Sequence, residues 1–137
     1  MALTSILKTT KCSFTFQNKK ILNEAFTHCS ISKESNYERL EFLGDSVVDI
    51  IVVSNMIKMG DFTADNLTVF RHMIVNNNVL SKFSISMGLN NYLKASKEIY
   101  SEIDSHLRNL VWEEDILTFG CYNSDPPKHL NDIFESC

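Results

Sequence analysis

Residues 36–53 read Asn-Tyr-Glu-Arg-Leu-Glu-Phe-Leu-Gly-Asp-Ser-Val-Val-Asp-Ile-Ile-Val-Val, and no other part of the chain is as informative about its fold. From Tyr37 to Met59 there is no proline and a single glycine, and apolar residues fill most positions. The segment is too long for a strand, and a helix that is apolar on most sides is a buried helix. At about 1.5 Å per residue it spans roughly 30 Å, the diameter of a small domain. The sequence therefore predicts a long buried helix at the centre of the fold.

Four acidic side chains recur on one face of this helix, since Glu38, Glu41, Asp45 and Asp49 are spaced by three or four residues. Like charges one turn apart repel, and a buried carboxylate is costly unless a cation compensates it. One interpretation is a solvated stripe with Arg39 as a local partner. The apolar residues around the acids favour another, in which the carboxylates bind a hard divalent cation such as Mg²⁺.

The ten residues 38–47, Glu-Arg-Leu-Glu-Phe-Leu-Gly-Asp-Ser-Val, resemble the signature of the ribonuclease III family. The resemblance implies an all-α fold, the ribonuclease III endonuclease domain, which is a helical bundle around the signature helix. It also implies a dimerising domain that cleaves double-stranded RNA with Mg²⁺, or with Mn²⁺ in its place. Its catalytic partner is a second copy or another ribonuclease III domain.

Two further segments are similar to the same family. Residues 22–30 resemble its second helix, and His28 is interpreted as a structural histidine at a helix end rather than as a general base. Residues 125–137 begin with Asp-Pro-Pro, and the two prolines lead into a helix on which Asp132 and Glu135 share a face. This pair resembles the second catalytic motif of the family, and the residues Asp-Ile-Phe-Glu-Ser around it are most like those of the Dicer branch.

Carried over residue by residue, the resemblance assigns the metal-binding and catalytic acids to Glu41 and Asp45 in the first motif and to Asp132 and Glu135 in the second. Lys128 matches a catalytic lysine near the scissile phosphate in Dicer-like members. The four carboxylates can hold one or two Mg²⁺ ions, and a pair roughly 4 Å apart would activate water and stabilise the leaving 3′ oxygen. The expected products have a 5′ phosphate, a 3′ hydroxyl and two-nucleotide 3′ overhangs.

Three more residues of the signature stand out. Glu38 is an additional acid whose role stays open. Phe42 matches an aromatic residue that inserts into a socket on the partner subunit, although ordinary core packing explains it equally well. Glycine within a helix costs about 1 kcal/mol relative to alanine, so Gly44 needs a close approach by another backbone. The resemblance assigns both Phe42 and Gly44 to the dimer interface.

Composition limits the class of protein. The 137 residues are expected to form one catalytic domain, and a hydrophobic content of 44% suffices for a core. The net charge of −4 argues against a nucleic-acid binder, unless bound cations invert the local charge. No apolar run is typical of a signal peptide or membrane span, and the four cysteines lack zinc-type spacing. We therefore expect an intracellular protein with reduced thiols and no membrane partner, with nucleus and cytoplasm not distinguished.

Apolar spacing and capping residues predict the remaining helices. A short helix is expected over 2–10, Asn18 and Thr63 are expected to cap two others, and residues 99–121 predict a later one. The sequence stops at Cys137, barely one turn into the helix that carries Asp132 and Glu135, whereas in the family this helix continues for several turns. We expect it to be truncated and marginal by itself, with no double-stranded RNA-binding domain following.

The alternative function is a catalytically inactive relative, kept as a dimerisation or RNA-binding scaffold. Acids at all four matched positions disfavour it, and the short last helix favours it. An acidic helical interaction domain unrelated to RNA explains the net charge but not residues 38–47. The predicted function is therefore a Mg²⁺-dependent endoribonuclease domain that acts in RNA processing or RNA silencing.

Overall fold

The computed structural model describes residues 17–109 and 125–137, and these residues form helices without a strand among them. The predicted helix over 2–10 and the part of the later predicted helix beyond 109 lie outside the described residues. The all-α fold class is confirmed. The helices are α1 (Lys19–Ala25), α2 (Glu38–Met59), α3 (Ala64–Ile74), α4 (Asn77–Ser86), a 3₁₀ turn (Leu89–Asn91), α5 (Lys97–Asn109) and α6 (Lys128–Ser136).

The predicted helix starts are confirmed by their side-chain caps. Asn18 Oδ1 accepts a hydrogen bond from the Lys20 amide at 3.0 Å, and Thr63 Oγ1 accepts one from the Asn66 amide at 3.3 Å. Each cap satisfies an amide that has no partner within its helix. After α4 the chain turns at Gly88, whose φ of 72° lies in the left-handed region that glycine adopts without strain.

The last helix, α6, lies at the centre of the core. It packs against both α2 and α4, and its Leu130 and Ile133 side chains are 0% exposed. Burying each of them contributes about 1.5–3 kcal/mol. The Ser136 hydroxyl also donates to the Ala25 carbonyl oxygen at 2.8 Å. Tertiary packing therefore holds a nine-residue helix that the sequence predicts to be marginal by itself.

The prediction that the signature helix is buried is wrong, although its bounds are correct. Met56 is its only buried residue, whereas Phe42 is 82% exposed and Ile50 is 65% exposed. Within residues 17–109 and 125–137, α6 covers the acidic side of α2 and the opposite side is exposed. An apolar pattern indicates that the side chains pack against another surface, but it does not indicate whether that surface belongs to the same chain. The apolar face of α2 consists of Phe42, Leu43, Val47, Ile50 and Ile51.

Despite this apolar face, none of the helices within the described ranges has both the length and the hydropathy that crossing a membrane would require.

Gly44 lies where α2 crosses α6. A Cβ atom built on Gly44 would lie 1.6 Å from the carbonyl oxygen of Glu135, so only glycine allows the two backbones to come this close. The predicted close approach is therefore present, but the approaching backbone belongs to the same chain rather than to a partner subunit. The assignment of Gly44 to a dimer interface stays a prediction, and it is not needed to explain the glycine.

Candidate metal centre

Three carboxylates meet where the first turns of α2 run alongside α6. One oxygen each from Glu41, Asp132 and Glu135 lies within 4.8 Å of the others. The structure thus brings together three of the four predicted acids, one from the first motif and two from the second. Carboxylate oxygens are the ligands that hard divalent cations prefer. The donor set therefore fits such a cation, and we call these three residues the acidic cluster.

The fourth predicted acid, Asp45, lies at the border of the acidic cluster. Its exposed carboxylate is not among the three that share the short mutual distances, but its negative charge acts on Glu135. Asp45 is one helical turn beyond Glu41, so the two carboxylates lie on the same side of α2. The structure places it next to the candidate site rather than in its centre.

The pKa of the Glu135 carboxyl shows most clearly the effect of the acidic residues around it. Burial, and next the charge of Asp45, raise the pKa of Glu135 to about 7. The charges of Glu41 and Asp132 act in the same direction, and a hydrogen bond from the Asn131 side chain opposes them. A large fraction of Glu135 is therefore protonated at neutral pH in the metal-free protein, and a bound cation would displace that proton.

The stability of the metal-free protein is expected to fall as pH rises from about 4.5 to 7. Glu135 stays protonated in the folded chain over this window, whereas its carboxyl ionises in the unfolded chain, whose pKa is near 4.5. The unfolded state then binds fewer protons, so this group favours unfolding as pH rises. Stabilisation by Mg²⁺ should increase as pH rises through about 7, because the competing proton leaves Glu135 of the folded chain there.

Thermal unfolding at pH 5.5 and 8, with and without Mg²⁺, measures both effects. Glu135→Gln is the control, since glutamine does not titrate and its contribution should not change with pH. A stabilisation by Mg²⁺ that is equally large at both pH values in the unmodified chain would contradict this prediction.

Lys128 bridges two acids of the cluster. Its Nζ donates to Glu41 Oε1 at 2.7 Å and to Asp132 Oδ1 at 2.8 Å. Burial by itself would lower the pKa of Lys128, but the hydrogen bonds to Asp132 and Glu41 raise it, so the ammonium is charged. The sequence offered Arg39 as a local partner for the acids. The partner of Glu41 is instead Lys128, which belongs to the second motif.

The remaining acids of the α2 stripe have different surroundings. Asp49 forms a two-pronged ion pair with Arg71 of α3, with the Arg71 Nε atom 2.8 Å from Asp49 Oδ1. Glu38, whose role the sequence left open, lies next to Cys29. Burial, followed by the charge of Glu38 and a hydrogen bond to it, raises the pKa of the Cys29 thiol. The four acidic residues of α2 therefore lie in three environments: beside Cys29, at the acidic cluster and paired with Arg71.

The sequence reasoning missed two residues at this site, Tyr37 and His129. The Tyr37 hydroxyl donates to Asp132 Oδ2 at 3.1 Å, and it lies 3.4 Å from His129 Nδ1. His129 precedes Asp132 by three residues, a spacing that puts both on one helical face. That spacing is a signal the sequence contained, whereas the contact with Tyr37 depends on how α2 and α6 pack.

His28 has the structural role that the sequence predicts. Its Nδ1 accepts a hydrogen bond from the Ser30 amide at 2.9 Å, so that nitrogen carries no proton. The ring packs edge-on against Tyr37, with 5.6 Å between ring centroids. Burial, and next the charge of His129, lower the pKa of His28, so the ring is neutral and serves to hold the turn before α2.

Comparison with known proteins places this geometry in a family. Residues 18–113 match the Ribonuclease-III-like family. Dicer-like protein 1 of Aspergillus niger is 31% identical over 92% of this chain and 9% of that protein. Ribonuclease 3-like protein 2 of Arabidopsis thaliana is 32% identical over 90% of this chain and 32% of that protein. The chain thus spans about a tenth to a third of the length of these curated relatives.

A solved structure agrees with the sequence comparison. The nuclease domain of ribonuclease III from Campylobacter jejuni aligns with a TM-score of 0.67 and 27% sequence identity, over 98% of this chain and 78% of that one. That structure is described as flexible in a region involved in its dimer formation. From the matched family, the similar relatives and the shared helical fold, we conclude that this chain belongs to the ribonuclease III-like family.

Proposed function

We propose that this domain is a Mg²⁺-dependent endoribonuclease that cleaves double-stranded RNA and acts in RNA processing or RNA silencing. Its products would have 5′ phosphates, 3′ hydroxyls and two-nucleotide 3′ overhangs. The observation that carries the proposal is the acidic cluster, in which Glu41, Asp132 and Glu135 offer oxygens within 4.8 Å of one another. Membership of a family that includes Dicer-like and ribonuclease 3 relatives supports the choice of substrate.

Each residue of the site has a different proposed role. Glu41, Asp132 and Glu135 would hold the cation, and Asp45 adds negative charge beside them. When bound, Mg²⁺ supplies Lewis-acid stabilisation of the phosphate and lowers the pKa of the attacking water. An ammonium group has three donors, and Lys128 uses two of them on Glu41 and Asp132. The third is available for a phosphate oxygen of the RNA.

The negative charge of the domain makes its RNA binding depend on the cation. The net charge is −4, and the acidic cluster would repel phosphate by itself. A bound divalent cation inverts this local charge and attracts phosphate. Contacts to the 2′-hydroxyls and to the shape of the RNA helix would then explain weak sequence preference.

We further propose that the apolar face of α2 pairs with a second copy of this chain. Its five side chains are exposed and contiguous along the helix, and exposed apolar patches of this kind mark protein interfaces. Phe42 does not pack into the core formed by the described residues, which supports its insertion into a partner. A symmetric pair would carry two acidic clusters, one for each RNA strand.

Ile50→Glu is expected to convert a dimer into a monomer. The change puts an unpaired carboxylate into the apolar face, where burial is unfavourable, and it should weaken dimerisation at least about 100-fold, or about 2.8 kcal/mol. Two-strand cleavage should be lost with it. Analytical ultracentrifugation gives the dimer affinity, and end-labelled double-stranded RNA with Mg²⁺ gives the cleavage pattern and product ends.

Met87→Glu is the matched control, because Met87 is an exposed apolar residue that follows α4. This variant should remain a dimer and cut both strands. An unmodified chain that binds Mg²⁺ and dimerises but leaves RNA intact would contradict the endoribonuclease and favour the scaffold. An Ile50→Glu variant that still dimerises would contradict the interface.

A further inference from the structure

Tyr37 links the two acidic motifs of the site. Its carbonyl oxygen accepts a hydrogen bond from the Glu41 amide at 2.8 Å, and its hydroxyl donates to Asp132 Oδ2 at 3.1 Å. The residue is itself fixed, because its amide donates to the Thr27 carbonyl oxygen at 2.9 Å and only 2% of its surface is exposed. One rigid residue therefore contacts the first motif through its backbone and the second through its side chain.

The hydrogen bond from this hydroxyl to Asp132 has a defined direction. A tyrosine hydroxyl has one proton, and an ionised carboxylate can only accept. The proton of Tyr37 is therefore directed to Asp132. His129 Nδ1 lies 3.4 Å from the Tyr37 oxygen and donates to it in the tautomer that carries a proton on Nδ1. In that tautomer a series of hydrogen bonds runs from His129 through Tyr37 to Asp132.

Both oxygens of Asp132 are thereby held. Oδ2 accepts from Tyr37, and Oδ1 accepts from Lys128, whose ammonium also contacts Glu41. The terminal torsion of an aspartate is broad, so without such partners the carboxylate samples many orientations. The hydroxyl of Tyr37 holds Oδ2 and so keeps Oδ1 on the Lys128 ammonium, which also contacts Glu41 of the acidic cluster.

We propose that Tyr37, oriented by His129, is a positioning residue that aligns the Asp132 carboxylate for divalent-cation binding. The inference rests on the proposed function, because it assumes that the acidic cluster holds the cation. Tyr37 does not touch the cation or the RNA, and it acts only through Asp132. Hydrogen-bond partners that orient metal ligands in this way typically change metal affinity by about 10–100-fold when they are removed.

Tyr37→Phe tests the inference because it removes the hydroxyl and keeps the ring in the core. We expect the affinity for Mn²⁺, measured by calorimetry without RNA, to fall about tenfold. The Mg²⁺ concentration for half-maximal cleavage should rise by the same factor. The rate at saturating Mg²⁺ should recover to within about threefold of the unmodified chain, since the ligands themselves remain. A purely structural role would lower the melting temperature without moving the metal affinity.

Tyr100→Phe is the matched control. The Tyr100 hydroxyl donates to the Leu93 carbonyl oxygen at 2.6 Å and accepts from the Ala95 amide at 3.3 Å, with none of the cluster acids among these partners. This variant loses comparable hydrogen bonds and should keep the Mn²⁺ affinity of the unmodified chain.

Three outcomes would overturn the inference, and they are distinguishable. If Tyr37→Phe binds Mn²⁺ as tightly as an unmodified chain that binds and cleaves, the positioning role is wrong and the proposed function stands. If Tyr37→Phe and Tyr100→Phe lose affinity equally, the effect is general destabilisation and positioning is again wrong. If the unmodified chain binds no Mn²⁺, the proposed metal site is wrong, and this inference fails with it.

Discussion

Glu41→Gln is expected to lower the kcat/KM for double-stranded RNA at least about 1000-fold, equivalent to about 4 kcal/mol of transition-state stabilisation. Glutamine keeps the size of the side chain but removes its negative charge, so the acidic cluster loses one anionic ligand. Stabilisation of the fold by Mg²⁺ should largely disappear with it, because a ligand stabilises the fold appreciably only when its concentration is comparable to or above its dissociation constant. Cleavage under excess enzyme and thermal unfolding with and without Mg²⁺ measure the two effects.

The metal-free Glu41→Gln variant should unfold within about 1 kcal/mol of the unmodified chain. The substitution breaks the ion pair with Lys128, but the Lys128 side chain is 64% exposed, and exposed pairs contribute little. It also removes one of the charges that raise the pKa of Glu135, which reduces repulsion among the acids. Loss of activity in a folded variant therefore reports on the site and not on the fold.

Glu38→Gln is the matched control, because it removes the same charge one turn earlier on α2. The Glu38 carboxylate lies beside Cys29 and outside the acidic cluster. This variant should keep the cleavage rate and the Mg²⁺ stabilisation of the unmodified chain to within about threefold. A rate for Glu41→Gln that matched Glu38→Gln would show that the acidic cluster is not the site of the reaction.

Gly44→Ala is expected to lower the free energy of unfolding by about 3 kcal/mol or more. The added Cβ would overlap the backbone of Glu135, with 1.6 Å to its carbonyl oxygen and 2.5 Å to its carbonyl carbon. No side-chain rotation relieves a clash with backbone, so α2 and α6 must separate. Because Leu130 and Ile133 of α6 form the centre of the core, the displacement spreads into packed side chains.

The same displacement should remove cleavage activity, since Glu41 is on one of these helices and Asp132 and Glu135 are on the other. Urea unfolding gives the loss of stability. Gly60→Ala is the control, because its nearest neighbour is the Phe62 ring at 4.0 Å and its φ of 165° is extended backbone that any residue adopts. Equal stability of Gly44→Ala and Gly60→Ala would mean that α2 and α6 do not cross as closely as described.

Local features of the chain were predictable from the sequence alone. The bounds of α2 and the caps Asn18 and Thr63 depend on hydrogen bonds between residues two to four positions apart, which a linear sequence displays. The motif over residues 38–47 identified the family, and the chemistry of Glu41, Asp132 and Glu135 indicated a cation site. The helix bounds and caps required only residue type and spacing, whereas the assignment of Asp132 and Glu135 to the cation site also required the resemblance to the family.

Contacts between distant segments were decided by the tertiary structure. The sequence placed α2 in the core, but the structure leaves its apolar face open, because packing on α6 covers only the acidic side. The sequence also contained no indication that Lys128 pairs with Glu41 or that Tyr37 pairs with Asp132. Gly44 indicated that another backbone approaches α2 closely, but the sequence did not identify that backbone as α6. Spacing defines which residues share a helical face, whereas the partner of that face depends on how the helices pack in three dimensions.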